Sequence, residues 1–171
     1  MTAVGVSKGQ RRIGAILREI PPVREQLFET MKGFGSDFAE QEFVAAAQSP
    51  DVYERNKVTV IERLYEVLLN WLHELAARAL AEARRLDVVD KSPDHPWERL
   101  AALDVISRES AARLQDAWEL RNTLAHAYPP ANRKTLHEGV LVLVDELDPY
   151  LDSFKRWVSN EEILPPVKSS G

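Results

Sequence analysis

A chain of 171 residues is long enough to bury one core without help from metals or disulfides, so a single domain is the default. The absence of cysteine excludes disulfide frameworks, thiolate metal sites and cysteine nucleophiles, and leaves His, Asp and Glu as the remaining metal-ligand types. With 22 Lys and Arg against 27 Asp and Glu, the net charge of -5 argues against a general nucleic-acid coat, which needs a basic face to displace counterions, while leaving room for a local site.

Along the chain, apolar residues recur at spacings of three and four and no alternating strand pattern is bounded by turn residues, so the class expected is all-α. The start, Met1 to Lys8, has no apolar signal-peptide core and reads as loose; Arg12 to Ile20 can be helical until Pro21-Pro22 stops it. A new helix is expected from Val23 to Met31, broken by Gly33 and Gly35, then a short one from Asp37 to Ala47. Ser49-Pro50-Asp51 opens a long helix running to about Leu86, whose stripe Ile61, Leu64, Leu68, Leu72, Leu75, Ala79 marks it as the spine. A loop over Asp90 to Pro96 and a short helix from Trp97 to about Leu103 follow. Ser107 then caps a helix that places Leu114, Trp118 and Arg121 on one stripe and is stopped by Tyr128-Pro129-Pro130. The last major helix begins near Arg133 and runs through Leu136, Val140, Leu143, Leu147, Leu151, Phe154 and Val158, with a kink or break expected at Pro149 and an exposed tail from Glu161. The longest aliphatic run, Val140 to Val144, is too short to span a bilayer, so the expectation is a soluble, cytoplasmic protein with no membrane association.

Chemistry concentrates in Arg121-Asn122-Thr123-Leu124-Ala125-His126-Ala127-Tyr128. An arginine can hold a phosphate with two donors, a histidine can move a proton near neutral pH, and a tyrosine offers a modifiable hydroxyl. On a regular helix, Arg121 and His126 differ by roughly 140° around the axis, so their convergence requires the helix to end near His126, as the Pro-Pro stop demands. Arg121 shares its stripe with apolar residues, which is costly unless an anion or an acidic partner meets it. From Arg108 to Glu138, five basic residues (Arg108, Arg113, Arg121, Arg133, Lys134) face four acidic ones (Glu109, Asp116, Glu119, Glu138), so this region is less acidic than the whole.

The string Arg-Asn-x-x-x-His-x-Tyr resembles the Arg-x4-His-x-Tyr motif of the HEPN superfamily, in particular HepT-like toxins that pair with minimal nucleotidyltransferases. The likeness extends to Val52-Tyr53-Glu54-Arg55-Asn56-Lys57 leading into Ile61-Glu62-Arg63, to Ile106-Ser107-Arg108-Glu109, and to the closing amphipathic helix ending at Phe154. It covers about Val23 to Val158, with the N-terminal twenty residues and the C-terminal tail as additions to one HEPN-like domain. The resemblance implies an antiparallel four- to five-helix bundle that dimerises across a cleft, and a metal-independent endoribonuclease that needs no cofactor. It makes Arg121 and His126 the catalytic residues, with Asn122 and Tyr128 supporting substrate. It also implies a nucleotidyltransferase antitoxin that transfers AMP onto Tyr128. The alternative within the same resemblance is a non-catalytic subunit that binds nucleotide or a nucleotidyltransferase partner.

Plainer roles stand beside these. Arg121 can be a helix C-terminal cation paired with Glu119 or with an acid on another helix, His126 an imidazole on the helix dipole, and Tyr128 a lid on the helix end. His73, His95 and His137 lack metal-ligand spacing and read as surface or half-buried residues. Trp71, Trp97, Trp118 and Trp157 read as core and interface anchors rather than a base-stacking platform. Glu82, Arg84, Arg85 and Asp87 read as a solvated helix end, and Arg55 and Lys57 as ordinary surface charges.

Overall fold

Capping residues start the helices where the sequence supplies them. Ser7 and Gln10 form a reciprocal capping box, Asp51 accepts from the Tyr53 amide at 2.8 Å, and Ser107 accepts from the Ser110 amide at 2.9 Å. The computed structural model describes residues 5–83, 95–126 and 133–164, with the backbone alone at 125 and 126. These residues form an all-α helical bundle without strands: α1 (Lys8–Lys32), α2 (Glu40–Gln48), α3 (Val52–Glu82), α4 (Pro96–Ala102), α5 (Arg108–His126) and α6 (Arg133–Asn160). The six helices exceed the expected four to five because α2 and α4 are short pieces beside four long ones. No helix is long and apolar enough to cross a membrane among the described residues.

The stripe expected on the long helix is its core face. Ile61, Leu68, Leu72, Leu75 and Ala79 are completely buried, and α3 packs against all five other helices. Side-chain links fix the directions. Ser7 meets Glu82 while Lys57 meets the Gly33 carbonyl, so α1 runs antiparallel to α3. Arg113 bonds Glu146, and Leu120 lies against Gly139, so α5 and α6 are antiparallel. Glu62 binds Arg133 and the Leu72 carbonyl binds Tyr150, which makes α3 and α6 parallel.

The N-terminal expectation is corrected. Pro21 and Pro22 do not stop a helix, and the chain from Lys8 is not loose: α1 is continuous through both prolines, with Ile13, Ile16, Ile20, Leu27 and Met31 on its buried face. Each interior proline costs about 3 kcal/mol. Burying each of these five side chains returns about 1.5–3 kcal/mol, so packing outweighs the local penalty. Both prolines lie on the exposed side, where water can serve the carbonyls they leave unpaired. Arg12 adds a two-pronged ion pair to Glu74 at 3.0 Å, and Arg24 one to Asp148 on α6.

Pro149, also exposed, likewise causes no break in α6. The tail departs from expectation too. Ile163 is buried and its carbonyl accepts from Gln10 Nε2 at 2.7 Å, so residues just beyond α6 seal the start of α1. Between α1 and α2, Gly35 takes φ +86 and Phe38 φ +48, folding Phe34, Phe38 and Phe43 into an edge-to-face cluster.

His137 is a further correction. It is buried, neither at the surface nor half-buried, and stacks on Phe38 at 4.6 Å, with Nε2 2.6 Å from the Phe38 carbonyl. That bond ties α6 to the strained turn before α2.

Candidate functional site

The stripe on α5 is built as the spacing predicts: Leu114 is in the core, Trp118 packs half-buried against it, and Arg121 emerges half-exposed at its end. The Arg121 guanidinium carbon lies 5.2 Å from the Trp118 ring centroid, within cation–π range. Its Nη1 donates to Asn122 Oδ1 at 2.9 Å, and its Nε is buried without a hydrogen-bond partner. Among the described residues no carboxylate pairs with it. Glu119, the acid the sequence offered for that purpose, accepts instead from Gln115 Nε2 at 3.1 Å.

The neighbouring cations are already engaged. Arg113 binds Glu146 at 2.6 Å and Asp145 at 3.4 Å, Arg133 binds Glu62 at 2.7 Å, and Lys134 lies 3.8 Å from Glu40. The small basic excess counted along this stretch therefore does not make a basic face. Arg108 is exposed to solvent, and Arg121 is left half-buried with no carboxylate partner among the described residues. Arg55 and Lys57 are also held locally, by the Ser49 carbonyl and by Glu54 with the Gly33 carbonyl.

Two histidines approach this end of α5 from other helices. His73 of α3 stacks on Trp118 with centroids 4.3 Å apart and planes 8° from parallel, and meets Trp97 edge-on at 5.4 Å. Burial first, then the charges of His95 and Arg121, hold the His73 imidazolium below its ordinary pKa. His95 stands at the N-cap position of α4, with Nδ1 buried and unpartnered. The tryptophans are anchors as expected, Trp97 being fully buried, but Trp118 also carries a histidine and an arginine against its ring. Sequence reasoning set His73 aside. The apolar stripe of α3 was the available signal, since His73 sits between Leu72 and Leu75 on the side turned toward Trp118.

Asn122 is in contact with Arg121, accepting from its guanidinium. His126 is the last residue of α5, helical with Arg121, so the two backbone positions lie about 140° apart around one axis. Tyr128, Pro129 and Pro130 lie outside the described residues, as do Arg84, Arg85 and Asp87; Glu82 accepts from the Ser7 hydroxyl rather than standing solvated. Among the described residues, no three His, Asp or Glu side chains converge as a metal-holding group.

Fold and site together define an all-α bundle in which an arginine with no carboxylate partner among the described residues lies beside stacked aromatic rings. No protein family, curated protein or solved structure matches the chain.

Proposed function

We propose that the chain is a HepT-like, metal-independent endoribonuclease toxin of the HEPN type, working as a homodimer and restrained by a nucleotidyltransferase antitoxin. The observation that carries the reading is Arg121: a half-buried guanidinium over Trp118, bonded to Asn122, with a buried Nε lacking a partner and no carboxylate among the described residues to neutralise it. Such a group is costly unless an anion completes it, and a phosphodiester is the anion that the Arg-x4-His-x-Tyr string suggests.

In this reading the 2′-hydroxyl loses a proton to a base and its oxygen bonds to phosphorus. The bond to the 5′-oxygen then breaks, and that oxygen takes up a proton. His126 moves these protons, imidazole being the side chain suited to proton transfer near neutral pH. Arg121 meets the charge that grows on the nonbridging oxygens, Asn122 steadies the guanidinium, and Tyr128 contacts substrate. AMP carried on Tyr128 would place negative charge and bulk where the RNA phosphate enters.

RNA cleavage by the wild type, His126→Ala and Arg121→Ala, each matched for helicity and dimer mass, tests the assignment. Both variants are expected to lose at least about a hundredfold in rate, in line with removal of a general acid–base or an oxyanion donor. Equal cleavage by His126→Ala and wild type overturns the catalytic role. For the control step, incubation with the cognate nucleotidyltransferase and ATP is expected to add AMP to Tyr128-containing peptides, and an unchanged mass removes that part of the proposal.

One observation favours a second reading, a non-catalytic subunit that binds nucleotide or a nucleotidyltransferase partner. Arg113, Arg133 and Lys134 all have acidic partners, so the site has little spare charge to draw in a long polyanion. Binding of nucleotide without cleavage of RNA is the outcome that selects it.

A further inference from the structure

We propose that His73 is a second anion-recognition residue of the Arg121 site, taking up a proton when a phosphodiester binds there. The inference rests on Arg121 as a phosphate-binding group and adds a residue from a different helix, outside the Arg-x4-His-x-Tyr string.

Geometry carries it. The His73 ring lies flat on Trp118, and the Arg121 guanidinium lies against the same indole, so one aromatic side chain holds both cation-forming groups at one end of α5. Trp97 closes the cluster behind them, edge-on to His73 at 5.4 Å and to Trp118 at 6.0 Å. His73, Trp118, Arg121 and Asn122 are all half-buried, which leaves each with a solvent-facing part.

Among the described residues, the charged or titratable groups acting on His73 are His95 at the head of α4 and Arg121 on α5. On α3 itself the adjacent Glu74 is committed to Arg12 and Arg78 and gives His73 no counter-ion. His73 therefore has an arginine and a second histidine for neighbours, which together with burial favour its neutral form in the free protein. A phosphodiester on Arg121 reverses that balance, because it cancels the guanidinium charge and brings oxygens that accept from an imidazolium. Whatever favours the proton once the anion is bound must, by linkage, favour the anion at lower pH.

The test uses the full chain and hexadeoxythymidylate, which carries phosphodiesters but no 2′-hydroxyl to be cleaved and does not itself titrate across this range. At constant salt, wild-type affinity is expected to rise severalfold from pH 8 to pH 6, approaching the tenfold limit that applies below the free-state pKa when the bound anion makes His73 hold its proton about ten times more tightly. The His73 ring-proton resonance is correspondingly expected to titrate about one pH unit higher with the probe than without it. His73→Phe keeps a flat ring on Trp118 but cannot take a proton; folded by circular dichroism, it is expected to lose most of the pH dependence, so that its affinity falls further below the wild type at pH 6 than at pH 8. His73→Gln provides the same readout should the larger ring disturb packing.

A wild-type slope preserved in both variants assigns the proton to His95 or His126 and overturns the proposal. So does an unmoved His73 resonance, or no binding at pH 6. Cleavage of RNA without linkage to His73 counts against this inference alone, whereas linked binding without cleavage counts against the ribonuclease reading alone.

Discussion

Among the described residues Arg121 has no carboxylate partner, because the neighbouring acids are engaged elsewhere. Glu119 bonds Gln115 one helical turn earlier, while Arg113 has Glu146 and Asp145. That division could not be read from the sequence, where Glu119 and Arg121 simply stand close together. The apolar stripe beneath the arginine was legible, because helical spacing alone places Leu114, Trp118 and Arg121 on one face. His73 was not, since its partner Trp118 is distant in sequence and stacking leaves no mark in spacing. Burial and positive neighbours depress the His73 pKa in the fold. The unfolded state therefore binds this proton more readily, so the stabilising contribution is complete above about pH 6.5 and is lost as pH falls toward the folded value. Thermal unfolding of wild type and His73→Phe across pH 8 to 5 is expected to show the variant losing less stability on acidification. A parallel decline would mean that other groups take up the protons. Tyr65 offers a simpler case: its buried hydroxyl donates to the Ala117 carbonyl at 2.9 Å, and burial pushes its pKa up. Tyr65→Phe is expected to cost about 1 kcal/mol in denaturant unfolding, because it deletes the bond and leaves a buried carbonyl unpaired.

Helices in this protein are decided by packing more than by local preference. Pro21-Pro22 carries a clear stop signal, yet α1 passes through it because the buried positions on either side keep one face on α3. A stop signal read from sequence measures the local penalty and is blind to the tertiary gain. The same holds for Pro149 in α6. Pro22→Ala is accordingly expected to raise the melting temperature, since it restores an amide donor and removes a ring clash at an exposed position; the gain is about 1–3 kcal/mol, reduced by the greater freedom of the unfolded chain. An unchanged or lowered melting temperature would show that the proline serves the fold in some other way. Gly139 argues in the opposite direction. In an ordinary helix interior, Gly to Ala gains up to about 1 kcal/mol. Here an added Cβ would lie 2.5 Å from Leu120 Cδ2 and 2.9 Å from the Tyr65 hydroxyl. Leu120 can turn aside, but Tyr65 is held by Ala117 and buried, so Gly139→Ala is expected to destabilise by about 1 kcal/mol net through forced separation of α6 from α3 and α5.

At the scale of the whole molecule, α3 explains why the class was legible while the extent of the bundle was not. Its stripe is long and regular enough to mark it as the central element, and every other helix packs on it. The N-terminal segment has only the spaced isoleucines Ile13, Ile16 and Ile20 to advertise its burial, and the prolines after them mask the continuity. In the fold those three side chains lie in the main core, with Ser7 tied to Glu82 and Gln10 to the Ile163 carbonyl at the same end. This makes the first helix part of the cooperative unit rather than an appendage to it. Ile16→Ala distinguishes the two pictures by magnitude. A residue in a loose extension changes stability by less than about 0.5 kcal/mol. A completely buried isoleucine truncated inside a packed core costs about 2–5 kcal/mol, because the lost transfer energy is joined by a cavity that the neighbours fill only in part. Urea unfolding is expected to give the larger value with an unchanged slope, since the loss falls on the whole bundle at once. A shallower slope, or a separate early transition, would instead mean that α1 opens by itself and leaves α3 through α6 folded without it.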